Sequence, residues 1–214
     1  LTQAQCERIH GAIMRVLSQT GVIVESEEAR EILHGAGGTV HPEKRRVTLP
    51  ESAVQRAIEA APKTIRLYGQ DPKYDVELGG RNVNTLGGAA AVTTHHLDGA
   101  YRPSTLHDLV EFNRLQDALE NLDVLHGMVD PTELGEQYSP RLYSIVAATT
   151  FATTYKPCAL QVDNRPEGVR DLFQMLVMIR GSEEEARRRP LFSVHDSNAR
   201  PPFALQEENA RVII

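Results

Sequence analysis

The chain has 214 residues, 41% of them hydrophobic and 24% charged, a balance ordinary for a globular protein able to bury a sizeable core. Its formal charge of −6 gives no electrostatic reason to expect a nucleic-acid partner. No apolar run approaches the about 20 residues a membrane span needs, and the first residues space their apolar positions instead of forming the solid block of a signal peptide.

Ile9, Ile13, Val16 and Leu17 recur at helical spacing and predict an amphipathic helix ending near Gly21. Val22-Ile23-Val24, short and β-branched, predicts a strand. Ser26 is placed to cap a helix carrying Ala29, Ile32 and Leu33, which Gly35 and Gly37-Gly38 would close. Val47-Thr48-Leu49 leads to Pro50, which suits the first turn of a helix with Val54, Ala57 and Ile58 on one face. Thr64 to Tyr68 and Val76 to Leu78 alternate as strands around the turn Gln70-Asp71-Pro72. Residues 1–80 are therefore expected to form an accessory α+β unit of helices and a hairpin, without the converging polar groups that chemistry needs.

From residue 81 the rhythm changes. Apolar runs of strand length stand at 86–92, 122–129, 157–162 and 191–194, recurring about every 35 residues. Thr105 and Asp108 form a capping-box pattern for a helix continuing through Leu109, Val110 and Leu115. A second helix carries Leu142, Ile145, Val146 and Thr149, and a third begins at Pro166 and carries Val169, Leu172, Phe173, Leu176 and Val177. Arg187-Arg188-Arg189 follows Glu183-Glu184-Glu185 and fits a solvated helix end. Continuous apolar strands alternating with amphipathic helices predict a parallel sheet with helical crossovers. Four such units over 81–214 match the first half of a (β/α)8 TIM-type barrel, with a doubly wound sheet as the competing architecture. Phe203 to Glu208 is expected to open another helix. The chain then halts on Val212-Ile213-Ile214, as the front part of a longer chain would. The open edges of a half-barrel predict that these residues alone associate or aggregate.

Cys6 and Cys158 lie far apart without a CxxC companion, which disfavours a disulfide framework or a Cys zinc site and fits a reducing cytoplasm. In the apolar run Cys158-Ala159-Leu160 the thiol is expected to be a small buried side chain.

Several stretches carry a likeness that each alone would not. They are Gly21-Val22 with Glu25-Ser26-Glu27-Glu28-Ala29, Ala36-Gly37-Gly38, Leu49-Pro50, Ala60-Ala61-Pro62 and Leu67-Tyr68-Gly69-Gln70-Asp71-Pro72. Next come Val76-Glu77-Leu78-Gly79-Gly80, Leu86-Gly87-Gly88-Ala89-Ala90 and Arg102-Pro103-Ser104-Thr105-Leu106-His107-Asp108-Leu109. In order and spacing, over nearly the whole chain, they resemble the trimethylamine methyltransferase family, whose members move a methyl group from a methylated amine to a corrinoid protein. The resemblance implies an eight-stranded α/β barrel with an N-terminal addition. It also implies that substrate and corrinoid meet at the barrel's C-terminal mouth. The corrinoid (a cobalamin) would be carried by a cognate partner protein, with no cofactor bound by this chain directly. Trimethylamine-specific members carry pyrrolysine in the second half of their barrel, beyond residue 214. Many relatives lack it and act on quaternary amines such as glycine betaine.

In a barrel of this kind the residues after each strand face the active site. Gly87 and Gly88 would let backbone approach a ligand closely, or would serve tight packing. His95 and His96 are adjacent and would point oppositely on a strand, which fits a surface hairpin before Asp98-Gly99 better than a chelating pair. Asp130 before Pro131 fits a turn. After the third strand come Gln161, Asp163 and Asn164, the last suited to cap the helix at Pro166. After the fourth, His195-Asp196-Ser197-Asn198 is the densest polar cluster at any strand end.

A quaternary ammonium is held by carboxylates, carbonyls and aromatic faces, so Asp163 and Asp196 are candidate cation partners. His195 and Asn198, with Gln161, would orient the other end of the substrate. A tertiary amine needs a proton to leave, which makes His195 a candidate acid. The carboxylate of glycine betaine would suit His195, Asn198 and Gln161, so a betaine-like substrate is favoured over trimethylamine. Two other readings stand beside this one. One is a partial barrel that binds or regulates and needs another chain to complete it. The other is a metal-dependent hydrolase using His95, His126 and His195, which lacks any HxH or HxxxH spacing and is set aside, leaving no metal site expected.

Overall fold

A computed structural model describes residues 1–88, 90–136, 139–161, 166–195, 204, 205, 207 and 210, with the backbone alone described at Gln161, Pro166, Val194 and His195. The chain begins with α1 (Gln3–Arg15), β1 (Val22–Val24), α2 (Glu27–Gly35), β2 (Thr39–His41), β3 (Arg46–Thr48) and α3 (Glu51–Ala60). It continues through β4 (Thr64–Leu67), β5 (Val76–Gly79), β6 (Thr93–His95), β7 (Tyr101–Pro103), α4 (Leu106–Ala118) and β8 (Leu125–His126). It ends with α5 (Pro140–Thr153), β9 (Cys158–Gln161), α6 (Pro166–Arg180), α7 (Glu183–Arg188), β10 (Phe192–His195) and β11 (Ala204–Leu205). These divide into two compact units, Leu1–Pro62 with Ser197–Ile214, and Lys63–Asp196.

In the first unit a Thr2–Gln5 capping box starts α1, and a wider π-helical turn over Val16–Thr20 ends it at Gly21. Gly21 has φ 72, and a Cβ there would overlap the Val47 carbonyl, so both conformation and space require glycine. The helix forms where its periodicity predicts, but Ile9, Ile13 and Val16 are exposed and Met14 is the buried residue. The π turn is held from another side, where the Leu49 N–H donates to Leu17 O at 2.9 Å. Ser26 Oγ accepts from the Ala29 N–H at 3.2 Å, and α2 packs Ala29 into a core with Val24, Val47 and Ala210. The sheet has the order β11-β1-β3-β2. The expectation of a helix across Ala204 and Leu205 is corrected: they form β11, parallel to β1, with Ile23 opposite Ala204 and Val24 opposite Leu205. The free edge of β1 offers a ladder that a helix could not use, and the Glu25 N–H donates to Leu205 O at 3.1 Å.

The second unit opens with the antiparallel hairpin β4–β5, so the boundary expected at residue 80 falls inside it. The turn segment fastens this hairpin to the end of α5, the loop before β9 and the segment before β10. Gln70 Nε2 donates to the carbonyls of Phe151 and Thr154 at 2.5 and 2.6 Å, and its backbone N–H donates to Tyr155 O at 2.7 Å. Asp75 takes both terminal nitrogens of Arg189, at 3.0 and 2.7 Å, and Arg189 lies over the Tyr68 ring. Arg189 is therefore half of a partly buried ion pair, while Arg187 and Arg188 pair on the surface with Glu183 and Glu185.

The apolar runs pair as expected for crossovers. β8, β9 and β10 are parallel neighbours in chain order, and parallel bridges Leu86–Val124 and Ala91–Val129 add the run at 86–91 beside β8. The helices between them cover one face. Leu125, Cys158, Leu160 and Leu191 pack there on Ala147, Phe151, Leu172 and Leu176. Mixed α/β architecture is thus established, with small sheets and short ladders. The first run makes only bridges because Ala90 adopts φ 58 and interrupts the extended chain.

Candidate functional site

The carboxyl ends of the parallel segments are the natural place for a ligand in such an array. Gln161 and His195 come together there, directly opposite one another in the β9–β10 register. Asp163, Asp196 and Asn198, and the expected helix cap Asn164, lie outside the described residues. Gly87 and Gly88 face opposite ways. A Cβ on Gly87 would overlap Gln116 Oε1 of α4, and Gln116 Nε2 donates to the His126 carbonyl at 3.1 Å. Gly87 thus gives room to a helix side chain. A Cβ on Gly88 would meet within 4 Å only Met128 Cε, at 3.8 Å, on the other face of the sheet.

His126 and Asp130, on the segment of β8, are 4% and 5% exposed. The Asp130 N–H donates to Ala91 O at 2.9 Å, tying the two carboxyl ends together. Sequence reasoning gave Asp130 only a turn and His126 only a rejected metal role. The signal that separates them from loop residues is their parity with Leu125 and Val129, which shows which way the strand faces. His95 lies instead on the β6–β7 hairpin, stacked on Tyr101 with ring centroids 4.2 Å apart, and Gly99 turns that hairpin at φ 88. Among the described residues no three His, Cys, Asp or Glu side chains are grouped to hold a metal ion.

Two reactive side-chain types near the array are committed to structure. Burial pushes the Cys158 thiol up to about 12, so it stays protonated and unreactive. Lys156 is 6% exposed, and its ammonium donates to the carbonyls of Leu119 and Leu122 at 2.6 and 2.7 Å, closing the C-terminal end of α4. Grooves of about 550 and 300 Å³ along α1 and about 430 Å³ beside α2 belong to the first unit.

A family model described as trimethylamine methyltransferase matches residues 1–214. The chain belongs to this family. A trimethylamine methyltransferase of Desulfitobacterium hafniense strain DCB-2 is 30% identical over 187 residues, 86% of this chain and 37% of that protein. A glycine betaine methyltransferase of Desulfitobacterium hafniense strain Y51 is 27% identical over 194 residues, 89% of this chain and 39% of that protein. A trimethylamine methyltransferase of Methanosarcina thermophila is 31% identical over 198 residues, 90% of this chain and 40% of that protein. The chain therefore spans about two fifths of the length of these trimethylamine methyltransferase family members. Among its described residues no helix is long and apolar enough to cross a membrane.

Proposed function

We propose that the protein containing this chain transfers a methyl group from a small methylated amine to a corrinoid carried by a partner protein. The observation that carries the reading is the family match over all 214 residues. Relatives named for trimethylamine and for glycine betaine support a methylated amine as the substrate class. Parallel segments in chain order with helical crossovers support a (β/α)8 barrel whose first four units are this array. The proposal has the whole protein work in the cytoplasm as an oligomer.

The chemistry asks two things of the chain: a wall that holds a diffuse cation, and alignment of one methyl group with its acceptor. When bound, the corrinoid supplies a cobalt nucleophile for that methyl. In this reading His195 and Asp196 orient the amine and, for a tertiary amine, His195 places a proton on nitrogen. Gln161, Asp163 and Asn198 complete the wall, with Gln161 and Asn198 at the carboxylate end of a betaine-like substrate.

The test uses the full-length protein with trimethylamine, glycine betaine, proline betaine and carnitine, each with and without the reduced corrinoid protein. Demethylation of one of them that depends on the corrinoid protein is expected, a betaine above trimethylamine. Methyl transfer that ignores the corrinoid protein, or none from any of the four, overturns the reading. Tight trimethylamine binding with no response to the betaines sinks the substrate preference alone.

A further inference from the structure

The strand segment running from Val124 to Asp130 has a legible handedness. Leu125 joins the core beneath α5 and α6, and Val129 packs with Leu109 and Leu142. A Cβ on Gly127 would lie 2.8 Å from Val146 Cγ1 of α5. Three alternate residues thus face the helices, and extended chain turns His126, Met128 and Asp130 to the opposite face. Met128 confirms the direction, because its Cε is the atom nearest to the place of a Cβ on Gly88.

That inner face is small-residue ground around one imidazole. His126 stands opposite Ala159, and Ala159 stands opposite Ser193, so the three are level across the sheet. Gly88 lies level with His126 on its other side, two residues beyond the Leu86–Val124 bridge. The same strand uses Leu and Val on its helix face and keeps a buried imidazole and a buried carboxylate on this one. Burying such groups where an aliphatic side chain would pack carries a free-energy cost, and that pattern marks binding surfaces more than cores.

We propose that His126, Met128 and Asp130 form a substrate-contacting ladder for the methylated ammonium group. The inference rests on the methyl-transfer reading and assigns part of that same site. A methylated ammonium spreads its charge over its methyl groups, so it is recognised by a carboxylate together with soft, polarisable surface. Asp130 supplies the counter-charge at the carboxyl end, Met128 the thioether surface, and His126 the ring beneath. Gly88, Ala159 and Ser193, level with His126, add little side-chain bulk beside it, which suits a bulky trimethylammonium head.

The experiment measures binding to the full-length protein by calorimetry and transfer kinetics with the reduced corrinoid protein. The probes are glycine betaine, trimethylamine and 3,3-dimethylbutyrate, the carbon isostere of glycine betaine whose head carries no positive charge. Asp130→Asn is expected to raise KM for the cationic substrate at least tenfold, change kcat less than threefold, and erase the preference for betaine over its isostere. A merely structural carboxylate would not move that preference. Should Asp130→Asn not fold, Ser193→Leu serves, and is expected to weaken binding of the trimethylammonium head at least tenfold by filling its volume. An active wild type whose variants keep the native KM and the native preference overturns the ladder. A wild type that neither binds nor demethylates any methylated amine removes the function reading, and the ladder with it.

Discussion

At Gly87 a missing side chain is part of the packing. Gln116 reaches from α4 and places its amide against the Gly87 backbone while donating to the His126 carbonyl. Its Oε1 is buried with no N–H or O–H partner among the described residues, so the glycine backbone is its neighbour. A methyl group added at Gly87 must displace that amide, and the amide is anchored on the next strand. Gly87→Ala is therefore expected to destabilise by about 2 kcal/mol through overpacking. Gln116→Ala removes the obstacle, so the double variant should lose clearly less than the sum of the two single losses. Denaturant unfolding of the four proteins measures the coupling, and simple additivity would show that Gly87 and Gln116 do not meet. Glycine pairs in an apolar run announce close packing in the sequence. Which face each serves depends on side chains thirty and forty positions away, and no local pattern carries that.

α4 shows how far an element can be read ahead of its structure. Thr105 and Asp108 announce a capping box, and the structure has it, with Thr105 Oγ1 accepting from the Asp108 N–H and Asp108 accepting from the Thr105 N–H. The pattern did not show that Arg102, from β7, also grips Asp108 with two bonds at 2.6 and 2.7 Å. That guanidinium, and next the Thr105 N–H, hold the Asp108 carboxyl well below the usual carboxylate range against the opposing effect of burial. A carboxyl held down when folded contributes stability that is complete above the ordinary value of 3.8 and is lost as pH falls below it. Asp108→Asn should lower stability at neutral pH by about 1 kcal/mol, a figure discounted because the Arg102 side chain is 39% exposed. The gap between variant and native melting temperatures should close as pH drops through the acid range, and a gap constant with pH would contradict this pairing. The other elements divide in the same way. Helices with caps and the apolar runs were legible because their signals are local. The inward face of α1, the dock of Arg189 on Asp75 and the strand at Ala204 were not, because each is decided by a partner distant in sequence. The candidate site was legible as a set of strand ends, and the proposed ladder along Val124 to Asp130 was missed because its residues alternate with apolar ones in a run that looked uniformly like core.

For the molecule as a whole, the first unit is assembled from both ends of the chain. Its core joins Val24, Ala29 and Val47 to Ala210, which is 1% exposed, and β11 closes the free edge of β1. The parallel array of the second unit contains neither partner, since its residues run from Lys63 to Asp196. A change at Ala210 is therefore expected to act first on the core around β1 and β3. Ala210→Leu forces three extra carbons into a site with no exposed surface and is expected to cost about 2 kcal/mol by overpacking. Amide hydrogen exchange resolves where that cost falls, because protection reports local opening free energies. Faster exchange is expected at Glu25, whose N–H is bonded to Leu205 O, and at Val24, whose N–H is bonded to Arg45 O. Leu125 and Cys158, whose amides are bonded to Pro157 O and Leu191 O within the parallel array, should keep their native protection. Equal acceleration in both sets would mean that the chain unfolds as one cooperative block. No acceleration at Glu25 would mean that the C-terminal residues do not complete the first unit.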